Sequence, residues 1–266
     1  MKSILLLVHE DEGQDARLEA ALCIARALDA HLNCIEVTPR TTIASELYVG
    51  LGETSMLAVG TDGDEANGVA VRDRLSREDV AWSWTEVQGD IANCAIAAAR
   101  LADLVILNRT LDEHGVPDMP AIITKLLEHQ CAPIVAVPPA QERFEFDRAL
   151  VAWDGRSSAA AALRATVPLL ALAKQIELFT VGDIAGGDVP AEEAMAYLAQ
   201  YGLQAEIRRI RDGSSKLAPR INAECERWHA DYVVMGAFGR GAWRETFGGV
   251  TRSLLKTSPV PLILCH

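Results

Sequence analysis

"DYVVMGAFGRGAWRETFGGVTRSLLKTSPVPLILC", residues 231–265, contains the unit from which the rest of the chain is built. It opens on an unbroken apolar run, Tyr232–Met235, and closes on another, Leu262–Cys265. Apolar residues at successive positions, rather than alternating ones, predict strands covered on both faces, as in a parallel sheet. Between the runs lie five glycines, Gly236, Gly239, Gly241, Gly248 and Gly249, and then a helical stretch near Val250–Lys256. Strand, crossover helix and strand make a parallel pair.

The same unit stands 128 positions earlier as "DLVILNRTLDEHGVPDMPAIITKLLEHQCAPIVAV", residues 103–137. Asp103 and Asp231 each begin a strand, and Pro133 and Pro261 each begin the next. Working outward, "ILLLV" (4–8), "LNCIEV" (32–37) and "VAWSWTEV" (80–87) read as strands before the first unit. "ALVAW" (149–153), "IELFTV" (176–181) and "QAEIRRI" (204–210) precede the second. Helical patterns separate them. One runs through "SSAAAALRATVPLLALA", with Ser157 or Ser158 as its N-cap and a kink expected at Pro168. Residues 38–68 read as a loose, glycine- and acid-rich insertion with no assignable task, and "PPAQERFEFDR" (138–148) as the linker. The expectation is an α/β chain of two tandem domains, 1–139 and 146–266, each a five-stranded parallel sheet with helices on both faces.

Composition narrows the function. Half of the 266 residues are hydrophobic and mean hydropathy is +0.11, enough for a sizeable core. A net charge of −12 argues against a nucleic-acid surface. No run approaches a membrane span, and the apolar start halts at His9, Glu10 and Asp11 without a cleavage site, so the cytoplasm is the compartment expected. The six cysteines, Cys23, Cys34, Cys94, Cys131, Cys225 and Cys265, lack CxxC spacing and read as buried reduced thiols.

The two units differ where the glycines stand. At the offset of 128, Leu254 and Leu255 face Leu126 and Leu127, but Gly236, Gly239, Gly248 and Gly249 face Asn108, Leu111, Pro120 and Ala121. Glycines needed only to turn a strand into a helix would be needed in both halves. Bare backbone lets another group approach closely, and consecutive N–H groups before a helix N-terminus form an anion site. A bound phosphate is therefore expected in the second half alone. No Walker lysine follows the glycines, so the loop is not a P-loop.

Gly236-x2-Gly239, followed by a further glycine and "GVT", resembles the ATP-binding signature of the universal stress protein family. "VAWDGRSSAA" (151–160), "LFTV" and "SPVPLIL" resemble that family's first, second and last strands. The resemblance covers the chain as a tandem pair. It implies a Rossmann-like fold of the adenine nucleotide alpha hydrolase-like type, and pairing through the last strand. It also implies ATP, with or without Mg²⁺, as ligand. By position, Asp154 would bond the ribose hydroxyls and the backbone at Val181 would meet the adenine edge. Gly236 and Gly239 would flank ribose and α-phosphate, and Gly248, Gly249, Val250 and Thr251 would hold the outer phosphates.

In the first half His9 takes the place of Asp154, and the expectation is no nucleotide there; a hydrogen-bonded structural role for His9 is favoured over a ligand or pH-sensitive one. "NRTLDEHGVPDMP" (108–120) replaces the glycine loop, and its Asp112, Glu113, His114 and Asp118 read as a solvated loop rather than a metal site. Three roles fit: an ATP-binding regulatory protein, a stress-induced interaction module without nucleotide, or a slow ATP hydrolase. Asp154 is the one carboxylate firmly placed at the site, and its expected duty is ribose binding, which leaves no case for fast catalysis. Partners are an adenine nucleotide and either a second copy, as a homodimer, or the chain's own other half as an intramolecular pseudo-dimer.

Overall fold

A computed structural model describes residues 1–38, 62–109, 119–129, 132–182, 188–211, 217–237 and 249–266. In the first half the order is β1 (Ser3–Val8), α1 (Gln14–Leu28), β2 (His31–Thr38), α2 (Asp62–Leu75), β3 (Trp82–Gln88), α3 (Ile91–Ala98), β4 (Leu104–Asn108), α4 (Met119–His129) and β5 (Ile134–Val137). The second half repeats it with β6 (Arg148–Ala152), α5 (Ser157–Ala165), α6 (Val167–Leu170), β7 (Gln175–Val181), α7 (Ala191–Gln200), β8 (Ala205–Ile210), α8 (Leu217–Trp228), β9 (Tyr232–Gly236), α9 (Gly249–Thr257) and β10 (Leu262–Cys265).

The ten strands form one sheet in the order β3-β2-β1-β4-β5-β10-β9-β6-β7-β8. Within each half every pairing is parallel, and the strand order is the same. The halves meet through the antiparallel pair β5–β10, where Leu262, Ile263 and Leu264 lie opposite Ala136, Val135 and Ile134. All six are fully buried, so the seam runs through the core. Helices α1, α2, α5, α6 and α7 pack on one face of the sheet and α3, α4, α8 and α9 on the other. The two apolar layers each run through both halves.

The repeat extends to hydrogen bonds. Asp103 Oδ2 accepts from the Ser3 amide at 3.0 Å, and Asp231 Oδ2 accepts from the Arg148 amide at 2.7 Å. Each aspartate, placed just before the fourth strand of its half, thereby ties down the start of the first. The linker is packed rather than loose: Phe144 is buried, stacks on Tyr232 with ring centroids 5.8 Å apart, and touches Phe146 at 5.1 Å.

Three local expectations change. The region from 62 to 75 is helix α2, whose Val71 and Leu75 are buried against the sheet; only 39–61 of the expected insertion lies outside the described residues. Neither Ser157 nor Ser158 caps α5, because Ser157 is already its first helical residue and Arg156 holds the N-cap position without a side-chain bond. The kink assigned to Pro168 falls at Thr166, where α5 gives way to α6 and the Thr166 hydroxyl donates to the Ala162 carbonyl at 2.7 Å. Proline at the second residue of α6 has no helical N–H to lose there.

Candidate functional site

In the second half the chain runs from β6 outward to β7 and β8, then returns to lay β9 and β10 on the other side of β6. A reversal of this kind opens a crevice at the carboxyl ends of the strands. A cavity of about 290 Å³ lies there. Its strand-end lining is Trp153 and Asp154 after β6, Phe179 and Val181 on β7, and Met235 and Gly236 on β9. The opening turns of three helices close it: Ser158 of α5, Leu217 and Ile221 of α8, and Gly249, Val250 and Thr251 of α9. Each helix start brings N–H groups that have no partner within their own helix, and the positive end of its dipole.

Of the residues picked from sequence, Asp154, Val181, Gly236, Gly249, Val250 and Thr251 all line this one cavity. Gly239 and Gly248 lie outside the described residues, as do Asp112, Glu113, His114 and Asp118. Leu217, Ile221 and Phe179 were not anticipated as lining residues. The i,i+4 spacing of Leu217 and Ile221 marks an apolar stripe at the start of α8, but nothing in it distinguishes a cavity wall from core.

Asp154 is half exposed and turned back on its own chain. Its Oδ1 accepts from the Arg156 amide at 3.0 Å, and Arg156 Nε lies 3.8 Å from Oδ2. Trp153 is buried, with its indole N–H donating to the Val189 carbonyl at 3.0 Å; Val189 in turn donates its amide to the Gly155 carbonyl at 2.8 Å. These bonds hold the turn that carries Asp154 against the approach to α7.

The two described glycines of the loop differ in what surrounds them. A Cβ at Gly236 would lie 2.5 Å from both the Ala159 nitrogen and the Ser158 carbonyl carbon, so the fold itself requires glycine there for α5 to approach β9. A Cβ at Gly249 would meet nothing within 4 Å among the described residues. Gly236 thus has an architectural duty that the comparison of the two halves did not reveal, whereas no packing contact among those residues accounts for Gly249.

The first half resolves its own crevice differently. Strand register sets His9 at the place of Asp154 and Asn108 at that of Gly236. Where Gly236 has no side chain, Asn108 carries a carboxamide that is fully buried and approaches Asp11 Oδ2 at 3.4 Å. Arg17 lies beneath, 1% exposed, donating to Asp11 Oδ2 at 2.9 Å and to the carbonyls of Leu7 and His9, each at 2.8 Å. Burial pulls the Arg17 guanidinium below its ordinary pKa, and the Asp11 charge opposes that shift. The polar groups at this switch point are spent on one another.

Charge is divided just as unevenly. Residues 1–139 hold 22 acidic and 10 basic side chains, whereas residues 140–266 hold 15 of each. The half with the open crevice carries none of the net negative charge that would repel an anion.

Of the five described cysteines none is in a disulfide. Cys34, Cys225 and Cys265 are buried, while Cys23 and Cys94 are only half-buried, so the expectation of buried thiols holds for three. Among the described residues no group of three or more His, Cys, Asp or Glu could hold a metal ion, and no helix is long and apolar enough to cross a membrane.

The sequence model of the universal stress protein family matches residues 145–266. Among solved structures, a universal stress protein from Archaeoglobus fulgidus DSM 4304 is similar with a TM-score of 0.71 at 17% identity, over 98% of this chain and 97% of that one. A protein of unknown function from Pseudomonas aeruginosa PAO1 gives 0.64 at 18% identity, over 100% and 92%. The cytoplasmic domain of a prokaryotic cation chloride cotransporter gives 0.55 at 13% identity, over 99% and 95%. No curated protein matches the chain. At these identities the structures establish a shared tandem α/β fold, while the sequence match speaks for the second half: residues 145–266 belong to the universal stress protein family, and the first half repeats its architecture.

Proposed function

We propose that the chain is an ATP-binding regulatory protein whose second half holds the nucleotide and whose first half serves as its permanent structural partner, an intramolecular pseudo-dimer. The observation that carries the reading is convergence. Six residues chosen from sequence, just after β6 and on β7, β9 and α9, line one crevice bordered by three helix starts.

The residues fit an adenine nucleotide in type. Asp154 supplies an acceptor for ribose hydroxyls, and the apolar walls of Phe179, Leu217, Ile221 and Met235 suit a purine face. Val181 ends β7 beside them and offers backbone groups at the rim. Gly249, Val250 and the buried Thr251 open α9 with amides that have no partner within the helix and a hydroxyl for phosphate oxygens. A volume of about 290 Å³ is at the small end for a ligand site, in keeping with a nucleoside held inside and phosphates lying along the helix start.

Titration with ATP, with and without Mg²⁺, followed through Trp153 fluorescence tests the reading, together with mass spectrometry of whatever co-purifies. Saturable binding at or below millimolar ATP is expected. A flat response at millimolar ATP would favour an interaction module without nucleotide.

A further inference from the structure

Behind the crevice wall, on the face of the sheet covered by α8, two glutamates lie buried against each other. Glu177 of β7 is 4% exposed and Glu224 of α8 is 3% exposed. Both carboxylates bond the same Arg227 Nη2, and Glu177 Oε1 is buried without a hydrogen-bond partner, an arrangement that favours a proton on one of the two acids. Arg227 of α8 reaches over both, its Nη2 lying 3.1 Å from Glu177 Oε2 and also bonding Glu224, with Nε 2.7 Å from Glu224 Oε1. Arg208 of β8 stands 3.8 Å from Glu224.

Among the described residues, the charged groups around the pair come from three elements. From β8 come Arg208 and Glu206, the latter Glu177's register partner. From α8 come Arg227 and Arg220, the latter one turn before Glu224. From β6 comes Arg148, whose guanidinium donates to the Trp228 carbonyl at 3.0 Å where α8 ends. Burial first, then the hydrogen bond and charge of Glu224, push the Glu177 carboxyl up to about 7. Its proton is therefore exchanged near neutral pH. The first half has no counterpart, since strand register puts Asn33 where Glu177 stands.

We propose that Glu177 and Glu224 form a proton-operated latch that seats α8 on the sheet and thereby sets the Leu217–Ile221 wall of the crevice. With the proton in place the pair is a neutral acid bonded to a carboxylate that two guanidinium groups face. Without it two buried anions are forced together and α8 is pushed outward. Glu177 has a raised pKa in the seated state, so the seated state is favoured at low pH and loses that advantage as pH rises through about 7. Acidification would close the wall and alkalinisation would loosen it. Only the consequence for ligand affinity rests on the nucleotide reading; the latch itself does not.

Amide hydrogen exchange on the unliganded full chain, corrected for intrinsic rates, tests the latch. Protection across 217–228 is expected to fall about tenfold between pH 6 and pH 8, as follows from a pKa of about 7 when seated and an ordinary one when released. In Glu177→Gln, which keeps the shape and a permanent donor, protection should be the same at both values. Glu224→Gln serves the same purpose should the first variant fold poorly. Equal protection of the native chain at pH 6 and 8, or an unchanged pH response in the variants, would overturn the latch. Adenosine is the probe for coupling, because a terminal phosphate titrates near pH 6 and would confuse the result. Native affinity for adenosine should weaken several-fold from pH 6 to 8 and stay level in Glu177→Gln. A level native response with the exchange effect intact would overturn the link to the crevice. Failure of ATP and adenosine to bind at any pH would sink the nucleotide reading and leave the latch to be judged on exchange alone.

Discussion

Arg17 and Asp11 meet at 2.9 Å with both side chains almost wholly removed from solvent, at the switch point of the half that lacks the glycine loop. In the other half that position opens into the crevice. The contrast separates what the repeated fold demands from what one copy alone keeps.

Removing one member of this pair strands the other. Arg17→Ala leaves Asp11 uncompensated and the Leu7 and His9 carbonyls without a donor. A loss of about 3–5 kcal/mol is expected in urea denaturation. Arg17→Met combined with Asp11→Asn should cost clearly less than the single change. Nucleotide binding in the second half should be untouched wherever the protein remains folded.

Gly236→Ala and Gly249→Ala should part company. The first drives a Cβ into the backbone at the start of α5 and should destabilise by about 1–3 kcal/mol. The second meets open space at a helix start and should leave stability within about 0.5 kcal/mol while weakening ATP binding. Thermal melts and ATP titrations of both proteins distinguish them. A harmless Gly236→Ala would contradict the packing seen here.

Asp154 should read the sugar. Hydrogen bonds to a charged acceptor are worth about 1.5–3 kcal/mol, so Asp154→Ala should lower ATP affinity roughly ten-fold or more. The native chain should prefer ATP to its 2′-deoxy form, and the variant should lose most of that preference. Competition titrations with the two nucleotides give the ratio directly.

Thiol chemistry should sort by burial. Cys34, Cys225 and Cys265 are pushed up to about 12 by desolvation, so almost no thiolate exists at pH 8 in the folded chain. Among the described cysteines, brief alkylation at pH 8 should modify Cys94 before these three, and Cys23 slowly because burial and Glu19 raise its thiol too. Peptide mass mapping of native against unfolded protein would show the three labelled only after unfolding.

Much of this architecture is written in the chain in plain form. Runs such as Val233-Val234-Met235 and Leu262-Ile263-Leu264 are apolar at every position because both faces of the central strands are covered, and that pattern needs no tertiary knowledge to read. Helix α2 escaped because Gly63 and Gly68 and a crowd of acids mask its two buried anchors, Val71 and Leu75. Gly68 lies beside a neighbour remote in sequence: a Cβ there would come within 2.7 Å of the Glu36 carboxylate, the flexible end of a side chain that would have to swing aside. The cleft residues at strand ends were legible through spacing and resemblance. Those on α8 were not, because Leu217 and Ile221 acquire their place only when the helix docks. Gly236 shows the limit most clearly: its need for bare backbone comes from Ser158 and Ala159, nearly eighty positions away.

The antiparallel join of β5 and β10 also changes how the molecule meets dilution. Two separate copies associating through their last strands would find each other by mass action, and scarcity would take them apart. Here the companion is tethered by a ten-residue bridge, 138–147, so the encounter is unimolecular and insensitive to abundance. A guaranteed companion need not be a functional twin. The N-terminal copy can drift into a purely mechanical role, filling its switch point with Arg17 and Asp11, while its neighbour keeps a complete edge to lean on.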